Sequence, residues 1–345
     1  MEVITIKDIA KICGVGVSTV SRAINNHPDI SEDTKTSIME VIEKYNYIPN
    51  NSARNLKRLE SNTIAVLIKG ITNTFFNSML KVIEKEIQDK KYSFLLHRVE
   101  EHENEIDVAL ALEKEKKLKG IIFLGGYFVH SQGKLKQLNV PFVLTSGATV
   151  DTTDVEKFSM ISVDNVKESY KMVNYLCELG HERIAIITAP PSEENLGKLR
   201  LEGYKKALKE NGINEDKNLI RYLIDDSIET YSMNYGYETT KELLESGVEF
   251  TSLFAIADSI AVGASKAIFE HGKQIPEDYS VAGFDGTDIT RYYQPSITTI
   301  KQPAIEMADK SIHALFNIID GNIEKDSTIL QGDLVIGGST RKRTK

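Results

Sequence analysis

Residues 5–25 read TIKDIAKICGVGVSTVSRAIN, two helical patterns on either side of a glycine break. Thr5, with Asp8 three residues later, supplies a hydroxyl for the first orphan N–H groups and a carboxylate that reaches back to cap them. Ile6, Ile9, Ala10 and Cys13 then recur at helical spacing, which predicts a helix over about 6–13. Gly14-Val15-Gly16 interrupts it, and Val17 to Ile24 resumes the pattern with Val20, Ala23 and Ile24 on one apolar face. Two helices across a tight glycine turn form a helix-turn-helix. A third helix is expected from Ser31, with Glu32 and Asp33 in its dipole-favoured first turn, Ile38, Val41, Ile42 and Tyr45 inward, and a stop at Pro49. The outward face of the second helix carries Val17, Ser18, Ser21, Arg22 and Asn25. These are side chains a major groove accepts, and an arginine grips guanine through O6 and N7. A helix that is merely solvated more often shows Lys and Glu. The spacing alone also fits a helical bundle that never touches DNA.

The chain has 345 residues, which at about 100–200 residues per domain is two or three folding units. Hydrophobic residues at 41% and charged residues at 27% exclude wholesale disorder and collagen-like repeats. Net charge is −8, and its distribution matters more than its size: residues 1–60 balance, so residues 61–345 carry all of it. A surface acidic overall lowers the expectation of nucleic-acid binding, but Arg54, Lys57 and Arg58 cluster, while most acids of the first segment fall between 29 and 43. Cys13 and Cys177 lie far apart without ligand-spaced partners, so neither a disulfide framework nor a zinc site is expected. With no leader-like apolar segment and no run long enough for a membrane span, a cytoplasmic protein is expected.

Beyond Thr63, β-rich apolar runs alternate with amphipathic helical runs. The strands are Ile64–Ile68, Tyr92–Val99, Gly120–Leu124 and Phe142–Thr145, with helices from about 76 to 90 and up to about 117. A second series has Ile161–Asp164, Ile184–Thr188, Leu253–Ala257 and Ser280–Phe284, with helices at about 166–180 and ending near 212. Such alternation means parallel sheets covered by helices, here in two lobes. Ligands bind such sheets beyond the carboxyl ends of strands, which selects Phe75, Phe76, Asp164, Asp258 and Asp285.

These residues carry a family resemblance. Thr5 to Lys11, Gly14-Val15, Val17 to Asn25, Ser31 to Thr34 and Tyr47-Ile48-Pro49-Asn50 resemble the lactose-repressor family of bacterial transcription regulators. The likeness continues through Asn73-Thr74-Phe75-Phe76, Val163-Asp164-Asn165, Leu179-Gly180-His181, Arg200-Leu201-Glu202-Gly203-Tyr204, Gly283-Phe284-Asp285 and Pro295 to Ile300. It implies an α/β protein with an N-terminal three-helix helix-turn-helix domain and a two-lobed core akin to periplasmic binding proteins. The implied segments are a DNA-binding domain over 1–49, a hinge helix over 50–60 and an effector-binding, dimerising core over 61–345. Within that core the N-lobe takes 61–161 and 292–322, and the C-lobe 162–291 and 323–340.

For DNA, the resemblance implies that Val17, Ser18 and Arg22 read base edges. Thr5, Thr19, Ser21, Asn25, Ser31, Thr34, Tyr47 and Asn50 meet or position the phosphate backbone. In the hinge, Ala53 and Leu56 enter the minor groove, where an apolar wedge unstacks a flexible step. For the effector, Asp285 and Arg200 offer paired hydrogen bonds to a sugar or related metabolite, with Phe76 and Tyr231 as aromatic faces. An aromatic after a strand also fits plain core. Asp164 fits a ligand contact or a helix cap, and Asp258 a structural hydrogen bond.

Four positions depart from the family. Gly16 stands where a serine is usual, Ser52 where an apolar residue is common, Thr74 for a proline, and Ala257 for an asparagine. The last two point to an effector unlike the family's best-known sugars. His181, His271 and His313 lack metal spacing and read as structural. The basic end, Thr340 to Lys345, reads as a solvated tail without the leucine heptads of a tetramer, so a homodimer is expected.

Two other classes fit the sequence less well. An enzyme would need chemistry the chain lacks: Gly14-Val15-Gly16 has no third glycine and no preceding strand, and no G-x-x-x-x-G-K-[ST], G-x-S-x-G or H-E-x-x-H occurs. A free-standing small-molecule receptor has no use for the helix-turn-helix. The expected protein is a dimeric repressor without a cofactor or bound metal, whose partners are double-stranded operator DNA and a small-molecule effector.

Overall fold

A computed structural model describes residues 4–24, 26–45, 47, 62–70, 73–100, 103–126, 128, 132–147, 158–191, 196–225, 227–322 and 327–343. Two compact units emerge, 1–61 and 62–345. In the first, α1 (Ile6–Ile12), α2 (Val17–Ile24) and α3 (Glu32–Lys44) enclose Ile9, Ala10, Val20, Ala23, Ile38 and Tyr47. The capping box at Thr5 forms: its N–H donates to Asp8 Oδ2 at 2.9 Å and its Oγ1 accepts from the Asp8 N–H at 3.4 Å. Gly14, at φ +67, closes α1 by letting its own N–H reach Lys11 O and the Val15 N–H reach Ala10 O at 3.0 Å. One inward assignment fails: Tyr45 is 44% exposed, because α3 ends at Lys44 and Tyr45 has left the helical phase. Tyr47 fills the core in its place.

The second unit begins with β1 (Thr63–Lys69), α4 (Phe75–Asp89), β2 (Ser93–Val99), α5 (Glu105–Lys116), β3 (Gly120–Leu124), α6 (Gln132–Leu135), β4 (Phe142–Thr145) and β5 (Phe158–Val163). It continues with α7 (Asn165–Glu178), β6 (Ile184–Ile187), α8 (Gly197–Glu210), β7 (Ile220–Arg221), α9 (Met233–Glu245), β8 (Ser252–Ala255), α10 (Asp258–Glu270) and β9 (Ser280–Asp285). The last elements are α11 (Ile289–Tyr292), β10 (Thr298–Lys301), α12 (Ala304–Ile319), β11 (Ser327–Leu330) and β12 (Asp333–Val335).

Two six-stranded sheets result, ordered β11-β5-β4-β3-β1-β2 and β12-β10-β9-β8-β6-β7. Every pairing is parallel except β10 with β12. A strand covered on both faces is apolar throughout, and β1 shows it. Ile64, Val66 and Ile68 share one core with Met79, Ile83, Met307 and Ile312 of α4 and α12. Ala65 and Leu67 share the other with Ile106, Ala109 and Leu112 of α5.

The lobe boundaries differ from those expected. β5 pairs with β4, so the first lobe runs through Val163, not 161. β10 pairs with β9 and belongs to the second lobe, although 292–322 was assigned to the first. β11 returns to the first sheet beside β5, although 323–340 was assigned to the second. The chain therefore crosses near 164, 302 and 331. An apolar run reads alike in either sheet, and only its pairing partner assigns it.

The basic end is exposed at 341–343, as expected, but its backbone is anchored to the second lobe. Ser339 accepts at its carbonyl from Val281 N–H at 2.9 Å, and Arg343 N–H donates to Leu179 O at 2.8 Å. His181, whose pKa burial pushes down, sits 3.0 Å from Thr251 Oγ1 through Nδ1 and 3.2 Å from Arg341 O through Nε2. Its role is to fasten residues 340–343 to the second lobe.

Candidate functional site

In the first unit, α2 separates two faces. Val20 and Ala23 are buried while Val17, Ser18 and Arg22 are exposed, so the three side chains assigned to base reading lie on the solvent side. Thr19, Ser21 and Thr34 are half-buried, and Thr5 and Ser31 exposed. Ser31 caps α3 through the Thr34 N–H at 3.4 Å, and its hydroxyl lies 2.8 Å from Thr34 Oγ1. Thr5 and Ser31 are thus both occupied as helix caps, and Tyr47 is 9% exposed, with its ring in the core. Gly16 takes the N-cap position of α2, its carbonyl accepting from the Thr19 N–H at 2.9 Å and the Val20 N–H at 3.2 Å. Asn25, Asn50, Ala53 and Leu56 lie outside the described residues, as does the whole hinge, Ser52 included.

In the second unit, the strand ends converge on Asp285. This last residue of β9 is 2% exposed and has φ +116, a left-handed conformation that costs a non-glycine residue about 1–3 kcal/mol. Three elements hold it there. Gln302, at the second lobe crossing, donates its N–H to Asp285 O at 3.1 Å and its Nε2 to Oδ1 at 2.8 Å. Asn73, from the opposite lobe, donates Nδ2 to Oδ2 at 2.9 Å. Arg200, on the first turn of α8, brings Nη1 to 3.6 Å from Oδ1. Burial pushes the Asp285 carboxyl up, and the Arg200 charge opposes that rise.

Arg200 is itself 3% exposed, with Nε and Nη1 both engaged. Nε donates to Asn165 Oδ1 at 3.0 Å, Nη1 donates to Ile256 O, and the guanidinium lies 3.8 Å from the centroid of the Phe284 ring. Gln302 Oε1 is buried without a hydrogen-bond partner.

The other sequence-selected residues divide. Phe75 and Phe76 open α4, 3% and 6% exposed, edge to face with centroids 5.3 Å apart, and are part of the core. Tyr231 is half-buried against the same core, and its carbonyl accepts from Ser259 Oγ at 2.6 Å. Asp164 caps α7, accepting the Lys167 N–H at 2.9 Å.

Asp258 is fully buried and accepts from Thr299 Oγ1 at 2.6 Å and from the N–H and Oγ1 of Thr287 at 2.7 and 2.9 Å. These bonds fasten the loop after β9, the structural alternative. Burial, then the nearby Asp285 charge, raises its pKa. Asn73, Asn165 and Gln302 were not selected from sequence, although Asn73 and Gln302 follow the ends of β1 and β10 as Asp285 ends β9. Among the described residues no group of three or more His, Cys, Asp or Glu is placed to hold a metal ion.

The profile of bacterial regulatory proteins of the lacI family matches residues 5–50, and that of the periplasmic binding protein-like domain matches 173–340. The HTH-type transcriptional regulator MalR of Clostridium butyricum is 41% identical over 335 residues, covering 96% of this chain and 97% of that protein. The chain belongs to the lacI family. A second lacI-family relative, the HTH-type transcriptional repressor CytR of Escherichia coli strain K12, is 30% identical over 342 residues, covering 98% of this chain and 96% of that one.

Among solved structures, a LacI family regulator from Enterococcus faecium with bound ribose superposes with TM-score 0.67 at 28% identity. That match covers 82% of this chain and all of the other. The lac repressor dimer bound to operator and an anti-inducer gives TM-score 0.70 at 24% identity over 99% of this chain and all of that one, a likeness of fold. As a lacI-family member the chain is a DNA-binding transcription regulator and not an enzyme. No described helix is long and apolar enough to cross a membrane.

Proposed function

We propose that this regulator is a cytoplasmic repressor that binds a near-palindromic operator as a homodimer and is controlled by a small-molecule effector between the two lobes. The observation that carries the DNA half is the split of α2, with Val20 and Ala23 buried and Val17, Ser18 and Arg22 left facing solvent. Those three read base edges, while Thr5, Thr19, Ser21, Asn25, Ser31, Thr34, Tyr47 and Asn50 set the backbone register. For Thr5, Ser31 and Tyr47 this means positioning, since their side chains cap helices or fill the core. Ala53 and Leu56 wedge the minor groove from the hinge, over 50–60. Two-fold symmetry then calls for half-sites about 10 bp apart.

The effector half rests on Arg200 and Asp285, two opposite charges buried where strands of both lobes end. Because they offset one another, a neutral polyhydroxy molecule such as a sugar suits the site better than an ion, and the relative with bound ribose is consistent with that class. Phe75, Phe76 and Tyr231 supply its apolar walls and Asp164 its edge.

Selection of tight-binding duplexes from a random pool, at stated salt, tests the reading. A palindrome with a central pyrimidine–purine step is expected, and its release by sugars identifies the effector. Failure to enrich any sequence, with and without a metabolite mixture, overturns it.

A further inference from the structure

The boundary between the lobes is crossed by two side-chain contacts that require no bound molecule. At its interior, Asn73 follows β1 of the first lobe and donates Nδ2 to Asp285 Oδ2 of the second at 2.9 Å. Both side chains are buried, at 6% and 2% exposure. Asn73 is fixed from behind, because its Oδ1 accepts the Phe75 N–H at 3.0 Å and so caps the start of α4. Its amide nitrogen has no freedom to turn away without uncapping the helix.

At the surface, Arg98 on β2 of the first lobe pairs with Glu229, in the segment before α9 of the second lobe, and lies 3.2 Å from Glu100. Glu100 and Glu229 together give one guanidinium two carboxylates, one on each side of the gap. The two contacts differ in physics. The interior one is neutral donor to buried carboxylate, insensitive to salt, whereas the surface one is screened.

We propose that these contacts form a two-point clasp that holds the lobes together in the unliganded regulator, with Asn73 as its positioning residue. An incoming molecule that takes the place of the Asn73 amide at Asp285 Oδ2 undoes the interior contact as it enters. Lobe movement and ligand entry are thereby coupled. The clasp stands on geometry independent of which molecule, if any, binds Asp285, so its failure and that of the effector reading are separable.

The test is an interlobe distance distribution from spin labels at Asn77→Cys and Asp288→Cys, two exposed positions, in α4 and beyond β9. The full chain carries Cys13→Ser and Cys177→Ser and is diluted into unlabelled protein, so that only distances within one chain contribute. Asn73→Ser keeps an oxygen to cap α4 but is too short to reach Asp285. Arg98→Gln removes the surface contact, and Glu229→Gln removes it from the other side.

Without added ligand, the parent should give one short distance. Each single variant should add a longer component, larger at high salt for Asn73→Ser, where only the screened contact remains. The Asn73→Ser, Arg98→Gln pair should shift most of the population. Arg98→Gln and Glu229→Gln should give matching distributions. A parental distribution in the double variant, with unchanged far-ultraviolet dichroism, overturns the clasp, as does divergence between Arg98→Gln and Glu229→Gln.

Discussion

Arg200 lies over Phe284, 3.8 Å from the ring centroid, and at the same time meets the carboxylate of the next residue, Asp285, at 3.6 Å. Two consecutive side chains at the end of β9 thus hold one guanidinium. A lysine keeps the charge but has neither a plane to stack nor a fork for Asn165 and Ile256. Arg200→Ala should cost about 3–5 kcal/mol in chemical denaturation, because it leaves the Asp285 charge buried and unpaired. Arg200→Lys should recover only part of that loss, and parental stability in the lysine variant would show that the stack and fork contribute nothing.

Arg22 is exposed on the face of α2 opposite Val20. Arg22→Ala should lose discrimination at one base pair in each half-site, about 1–3 kcal/mol, while non-specific binding falls far less. The measure is the base preference recovered by duplex selection with the variant. An unchanged preference removes Arg22 from base reading.

At Gly16 an added Cβ would meet only Ser18 Oγ at 3.5 Å and Thr19 Oγ1 at 3.9 Å, ordinary contacts. Gly16→Ser should therefore cap α2 and raise the unfolding midpoint of the N-terminal unit, by a few tenths of a kcal/mol, roughly the known difference between serine and glycine caps. Operator affinity should rise with it, since a hydroxyl at a helix start can also bind phosphate. A lower midpoint would mean that the turn demands glycine for its backbone.

Asp258 is pushed up to about 7 by burial and by the charge of Asp285. Its unfolded value lies near 3.9, so over the interval between the two the folded chain keeps a proton that the unfolded chain has lost. This stability contribution is complete below about pH 4 and is lost as the pH rises through the folded value. Asp258→Asn removes the titrating group while keeping an acceptor for the Thr287 N–H and Oγ1, and turns the Thr299 contact round so that the amide donates to Thr299 Oγ1. The melting temperature of the variant should fall less than the parent's between pH 5 and 8, and parallel curves would mean that Asp258 stays ionised throughout.

Helices α9 and α10 pack backbone to backbone at Gly236 and Gly263. A Cβ at Gly263 would lie 1.9 Å from Met233 O, and one at Gly236 2.2 Å from Ile260 O. Gly263→Ala should destabilise by about 3 kcal/mol, the upper end of ordinary overpacking, because a backbone carbonyl has no rotamer by which to yield. Gly133→Ala, with nothing within 4 Å, is the control and should leave the unfolding midpoint within a degree or so. Equal tolerance of both would show that the helices can separate without cost.

The two architectures were legible because each rests on local pattern. Thr5 and Asp8 announce a capped helix, Gly14 its end, and the short β-branched and apolar runs of β1 and β3, each followed by a helical pattern, fit covered strands. Lobe membership was not legible for β5, β10 and β11, since pairing is a long-range relation that a four- to six-residue run does not encode. In the candidate site, Arg200 and Asp285 were selected from the sequence and lie together, but the amides that hold Asp285 were not selected. Asn73 and Gln302 are uncharged and lie 212 and 17 residues from it, and nothing local marks an amide as a donor to a distant carboxylate. Tyr45 and Tyr47 show the same limit at short range: two aromatics beside a helix end, of which only geometry says which turns inward.

The three crossings near 164, 302 and 331 bear on how such a chain changes over generations. Neither lobe corresponds to one uninterrupted stretch of coding sequence, so no single recombination event can trade one lobe for another and leave the rest in place. The helix-turn-helix, contained in the first 61 residues, has no such constraint. New operators can be acquired by exchanging that module, whereas the two lobes can be exchanged only together, so a change confined to one of them is left to point substitution.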